Sequence, residues 1–149
     1  MRGEYRNVID EKGRIMIPPK FREELGDLNL VLTRSVTKSL WLFTEEEFNK
    51  FDLEVNNGPL SLLNKDSRRI DMTIISPARS VELDKAGRLA VPQVFRLFAD
   101  LNEKTECVIL GSRTHIEIIR ADVYDRLVDS FQQELEISGD SLTKALLRR

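Results

Sequence analysis

Apolar residues fall in two spacings along this chain. Leu28-Asn29-Leu30-Val31-Leu32-Thr33, Leu40-Trp41-Leu42-Phe43 and Cys107-Val108-Ile109-Leu110 are short runs of branched and aromatic residues, and they read as strands. Polar residues 34–39 join the first two. His115 to Ile119, across the turn at Gly111 to Thr114, reads as the partner of the third. Elsewhere the period is helical. Phe21 and Leu25 share one face of a helix over 18–25, and Phe95, Phe98 and Leu101 mark a second over 92–101. Phe48, Phe51 and Leu53 mark a third behind the N-cap residue Thr44, with Glu46 and Glu47 at its positive end. Residues 60–70 read as helical, carrying Lys65, Arg68 and Arg69, and Tyr124, Leu127, Val128, Phe131 and Leu135 predict a helix over 121–135. Asn56 to Pro59, Ser76-Pro77 and Ser138 to Asp140 are breaks, and 141–149 carries at most a last amphipathic turn.

One stretch organises these elements. Asp10-Glu11-Lys12-Gly13-Arg14-Ile15-Met16-Ile17-Pro18 returns 74 positions later as Asp84-Lys85-Ala86-Gly87-Arg88-Leu89-Ala90-Val91-Pro92. Over residues 10–22, six of thirteen columns are identical, Phe21/Phe95 and Arg22/Arg96 among them. The chain is therefore two copies of one supersecondary unit. Asp followed three residues later by Gly suits a tight loop, since Asp bonds its own backbone and Gly supplies positive φ. Residues 4–9 and Arg14 to Ile17 read as the arms of a leading hairpin around that loop, and Val81 to Leu83 opens the second. Pro18 and Pro92 then end a strand and start a helix. The matched units imply an α+β fold, mainly β, interlocked about a pseudo-twofold axis into one small barrel with short peripheral helices. The first repeat covers 1–76, the second 77–135, and 136–149 forms a C-terminal tail. Neither half is expected to bury its apolar face alone.

Composition narrows the setting. The 149 residues are 41% hydrophobic and 32% charged, as in a soluble globular chain of one or two small domains. The lone Cys107 cannot form an intrachain disulfide, and the start Met1-Arg2-Gly3-Glu4 lacks an apolar signal segment, so a cytoplasmic protein is expected. No apolar run approaches the roughly 18 residues of a membrane span. Net charge is −2, but residues 1–22 hold six Arg and Lys side chains against three acidic ones. The acid collects at Glu45-Glu46-Glu47 and along 122–140. A basic edge on an acidic protein is compatible with DNA binding.

Candidate chemistry is confined to the loops. Arg14 and Arg88 each follow a turn Gly, where a guanidinium can reach phosphates or a guanine edge bidentately. Asp10 and Asp84 can fix the direction of those arginines, or the pairs can merely staple their turns. Lys12 and Lys85 suit phosphate contacts, which position without specifying, and Arg2 and Arg6 add nearby cations. His115 has no ligand partners at metal spacing, and no nucleophile–base pair or phosphate-cradling Gly loop is present. Neither catalytic residues, metal, cofactor nor small-molecule substrate is expected. Trp41 and Phe43 read as core or subunit interface.

Gly3-Glu4-Tyr5-Arg6-Asn7, the two Asp-x-x-x-Arg loops, Ile17-Pro18 with Phe21-Arg22, and Val108 to Gly111 followed by Ile116 to Ile118 together resemble the MraZ family. The resemblance covers about residues 1–130. It places the chain in the AbrB-like swapped-hairpin group and ties the Asp-x-x-x-Arg signature to DNA recognition. It implies a repressor of the division and cell-wall gene cluster, including its own gene, that binds promoter direct repeats on double-stranded DNA as a homo-oligomeric ring in the nucleoid. A ring-forming assembly protein and an antitoxin-type autoregulator are the alternatives.

Overall fold

In the computed structural model, residues 1–26, 29–57, 65–139 and 146–147 are described. Among the described residues, eight strands and five helices follow in the order β1 (Glu4–Val8), β2 (Arg14–Met16), α1 (Pro19–Leu25), β3 (Leu30–Arg34), β4 (Leu40–Thr44), α2 (Glu45–Asn57), α3 (Lys65–Ile70), β5 (Arg79–Val81), β6 (Arg88–Ala90), α4 (Gln93–Ala99), β7 (Glu106–Ser112), β8 (His115–Arg120) and α5 (Ala121–Ile137). A π-helical turn, Asp71–Ile75, follows α3.

The strands form one six-stranded antiparallel sheet, β1-β7-β8-β4-β3-β5, and a separate two-stranded ribbon, β2-β6. That order is a palindrome of the repeat. The β3–β4 hairpin of the first copy meets the β7–β8 hairpin of the second at the centre, with Trp41 opposite Glu117. Each outer strand then belongs to the other copy: β1 pairs with β7, and β5 with β3. The expected leading hairpin is thus opened. β1 and β2 share no ladder; β2 pairs instead with β6, its own counterpart. The tight loop survives between them, and β1 gains a five-residue ladder that a lone hairpin could not support against a core.

Burial explains this exchange. Ile15, Ile17, Phe21 and Leu25 of the first copy and Leu89, Val91, Phe95 and Ala99 of the second meet in one cluster, each pair 74 residues apart. The sheet adds Leu30, Leu32, Leu40, Leu42, Cys107, Ile109, Ile116 and Ile118 from its inner face. The alternate residues serve a second layer. Val31 and Phe43 pack on Phe48 of α2, and Val108 and Ile119 pack against α5. Strands covered on both faces read as continuous apolar runs, as these do. Cys107 lies inside, and burial pushes its thiol up to about 12.

Local signals work as expected at most element ends. Pro18 and Pro92 take φ −53° and −54° with extended ψ, and each opens a seven-residue helix. The first ends at Gly26 and the second at Asp100, again 74 apart, with Asp100 in the left-handed conformation that a short polar side chain tolerates. Thr44 Oγ1 accepts from the Glu47 N–H at 3.2 Å and so caps α2. Differences occur where the sheet does not reach. Leu53 is exposed, because α2 rests on the sheet through Phe48 and Phe51. α2 continues through Asn57, past the start of the expected break, and residues 58–64 lie outside the described residues. So do Asp27 and Leu28, at the head of the third-strand run, and most of 140–149. α5 reaches Ile137, two residues into the expected tail, and leaves Phe131 and Leu135 half exposed.

Phe21 and Phe95 are the largest shared side chains of the core, and both are fully buried. Phe95→Ala is expected to lower unfolding stability by about 3–5 kcal/mol. Chemical denaturation checks it, and a loss under 1 kcal/mol would contradict the shared core.

Candidate nucleic-acid interface

The ribbon places both loops on the side of the sheet away from α2 and α5. Strand side chains alternate, and Ile15 and Leu89 point into the core. Arg14, Met16, Arg88 and Ala90 therefore face outward. Arg14 is opposite Ala90 and Met16 opposite Arg88, so the two arginines are diagonal neighbours across the ribbon, ~7–8 Å apart.

The two loops have the same internal wiring. In the first, Asp10 Oδ1 accepts from the Lys12 and Arg14 N–H groups, each at 2.9 Å, and Oδ2 accepts from Arg14 Nε at 2.8 Å. In the second, Asp84 Oδ1 accepts from the Ala86 and Arg88 N–H groups at 2.9 Å, and Oδ2 from Arg88 Nε at 2.9 Å. The backbone closes in parallel, with Asp10 N to Arg14 O and Asp84 N to Arg88 O at 2.9 Å. Gly13 and Gly87 take φ +74° and +87°, which a side chain would resist. The Asp carboxylates therefore do two jobs. They replace missing backbone partners in the turn, and they hold each arginine through Nε. The hydrogen bonds within each loop leave the Nη edge of its guanidinium free.

The loops also touch each other. Arg14 Nη1 lies 4.0 Å from Asp84 Oδ2, so Asp84 serves both arginines. The backbone N–H of Arg14 holds Asp10 below the ordinary carboxylate range, with the Arg14 side chain adding to it, and Arg88 does the same for Asp84. A depressed folded value stabilises the loop above the ordinary range and loses that support as pH falls through the folded value. That contribution is therefore in place at neutral pH and is lost in acid.

The remaining expected cations separate. Lys12 and Lys85 are exposed on the two loops. Arg6 does not join them. It shares the outer face with its ladder partner Val108, and its guanidinium binds Asp125 Oδ1 of α5 at 2.6 Å and Glu106 Oε1 at 3.2 Å. Tyr124 of α5 likewise donates to Glu4. The sequence shows the charge of Arg6 but not the face, which depends on the swapped ladder. Arg2 lies the length of β1 away from Asp10, where its carbonyl accepts from Lys20 Nζ at 3.3 Å. Two arginines outside the candidate set do reach the loops, namely Arg22 and Arg96, and their identity under the repeat offset was the available signal. Opposite the ribbon, His115 stacks on Phe43 at 4.6 Å with Trp41 at 5.0 Å, and burial lowers its pKa. Among the described residues, no group of His, Cys, Asp and Glu could hold a metal ion, and no helix is long and apolar enough to cross a membrane.

Sequence comparison places this geometry in a family. The family model described as "MraZ protein, putative antitoxin-like" matches residues 1–73 and again 74–146. The chain belongs to the MraZ family. Its resemblance to relatives runs nearly end to end. It is 38% identical to a protein of Treponema denticola named "Transcriptional regulator MraZ", over 95% of this chain and 96% of that one. It is 37% identical to a protein of the same name from Ligilactobacillus salivarius, over 94% of both. Each MraZ match carries one loop and one central hairpin of the sheet, and lends its first strand to the hairpin of the other match.

Asp84 is expected to matter more than Asp10, since it contacts two arginines. If the loops contact DNA, Asp84→Asn should cut specific affinity about tenfold and Asp10→Asn a few-fold, while binding to random DNA holds or rises as negative charge is lost. Parallel titrations with specific and scrambled duplexes at fixed salt check this; equal effects on both duplexes would contradict it.

Proposed function

We propose that the chain is a sequence-specific, double-stranded DNA-binding transcriptional regulator, with the β2–β6 ribbon as its reading element. The observation that carries this reading is the outward face of the ribbon. It presents Arg14 and Arg88 side by side, each aimed by an Asp and each with its Nη edge free of the loop's own bonds. A two-stranded ribbon fits the major groove, and an aimed guanidinium can bridge guanine O6 and N7. Lys12 and Lys85 flank them as phosphate contacts. The names of the relatives support regulation of transcription. By family resemblance, the target is the promoter of the division and cell-wall genes, including its own, bound at direct repeats and repressed.

One ribbon makes few contacts, so we further propose an oligomeric ring that sets several ribbons along repeated sites and multiplies affinity through effective concentration. Exposed apolar side chains support subunit contacts: Leu97 of α4 is 72% accessible and Phe131 of α5 51%. They equally favour a second reading, a pure assembly protein that binds no DNA. Titration of the wild type against DNA upstream of its own gene separates the two. The regulator reading expects preference over scrambled DNA and a log K that falls by about 0.9 per neutralised phosphate with log salt. Absence of binding at low salt would sink it in favour of assembly.

A further inference from the structure

Each loop is covered by an arginine from the other repeat. Arg96 of α4 lies against Gly13: a Cβ placed there would sit 2.7 Å from Arg96 Cζ and 2.8 Å from Nη1. Arg22 of α1 lies against Gly87, where a Cβ would sit 2.4 Å from Arg22 Cδ and Nη1. Positive φ favours glycine at both positions, and a side chain there would also displace the guanidinium that the other repeat lays against it. The backbones interlock in the same sense. Val91 N–H donates to Gly13 O, and Ile17 N–H donates to Gly87 O, both at 3.0 Å.

The two arginines are themselves anchored. Arg96 Nε donates to Val91 O at 3.0 Å, so Val91 binds the first loop with its N–H and holds the loop's cover with its carbonyl. Arg22 Nη1 donates to Ala86 O at 3.3 Å, inside the second loop. Its Nε is buried without a hydrogen-bond partner among the described residues. A buried donor left unpaired is costly, so the close fit against Gly87, not full satisfaction of the guanidinium, is what this position retains. Both arginines come from helices α1 and α4, not from the ribbon strands, and reach the loops at the turn glycines.

We propose that Arg22 and Arg96 are positioning residues, each clamping the loop of the opposite repeat into the shape that presents Arg88 or Arg14. Each reading loop is then a product of both repeats. This rests on the loops being the DNA contact, but the clamp can be tested without DNA.

The test is hydrogen exchange on the full-length protein, followed by DNA titration. Arg96→Ala is expected to speed exchange of the Gly13 and Arg14 amides by tenfold or more and to leave Gly87 and Arg88 unmoved. Arg22→Ala is expected to do the reverse. Specific DNA affinity should fall about tenfold in each, with the salt slope unchanged, because no phosphate contact is removed. A direct phosphate role would instead lower the slope by about 0.9 per arginine. If an alanine variant fails to fold, Arg96→Lys and Arg22→Lys make the same test, since an ammonium keeps charge and stem but not the flat fork. Unchanged exchange in the opposite loop overturns the clamp whatever the DNA does. Faster exchange with unmoved DNA affinity, in a protein whose Arg14 and Arg88 variants still bind, overturns the role of the loops instead.

Discussion

Replacing Arg14 and Arg88 together by Ala is expected to abolish specific DNA binding while leaving the protein folded and its oligomer intact. Both side chains point away from the core, and neither packs in an apolar cluster, so their loss takes little from stability. The effect on recognition is large. A good bidentate contact to a base discriminates by about 1–3 kcal/mol, so two lost contacts weaken specific binding by about 30-fold to more than 10,000-fold per ribbon. Linked ribbons raise that loss further. Each single variant should show a partial loss. Gel-shift titration with size exclusion on the same samples reads both halves of the expectation. A double variant that binds as well as the wild type removes the ribbon from the interface.

The second large effect concerns the chain itself. Cut between residues 76 and 77, the halves are expected never to yield a folded monomer. The first half keeps the β3–β4 hairpin but loses β7 for β1, β6 for β2, and β5 and β8 along the hairpin's two edges. Half of the inner cluster goes with them, including Leu89, Val91 and Phe95. Such a fragment must either stay unfolded or pair with a second copy of itself through the same exchange. Its circular dichroism should therefore depend on concentration, and light scattering on any folded fraction should give a dimer. A folded monomeric fragment would show that the repeats are independent domains and would contradict the interlocked core.

These two effects differ in how far the sequence announces them. The repeat at Asp10 and Asp84 carries the architecture, because the same offset links Ile15 to Leu89, Phe21 to Phe95 and even the helix ends Gly26 and Asp100. Loop chemistry was equally legible: Asp-x-x-Gly-Arg specifies its own hydrogen bonds within five residues. Partner choice was not. Nothing local tells β1 to prefer β7 over β2, since strand pairing is decided by which arrangement buries both faces of the apolar runs. The separate position of Arg6 follows directly. Its charge suggests DNA, but its face is set by the ladder with Val108, and that face meets Asp125 of α5. Arg22 and Arg96 were hidden for a related reason. Each looks like a helix-surface arginine within its own repeat, and acquires a role only when the other repeat brings a glycine against it. Leu53 and Phe131 show the limit of helical spacing, which marks an apolar stripe without showing where the sheet beneath it ends.

The central claim, that DNA lies on the ribbon and not on the helical side of the sheet, is tested most directly by site-specific photocrosslinking. A photoreactive residue would be placed singly at Lys12, Lys85, Glu106 and Asp125, and each variant irradiated with the duplex from upstream of its own gene. Crosslinks from positions 12 and 85, and none from 106 and 125, are the predicted result. Crosslinks confined to 106 and 125 would contradict it and move the interface to the face covered by α5.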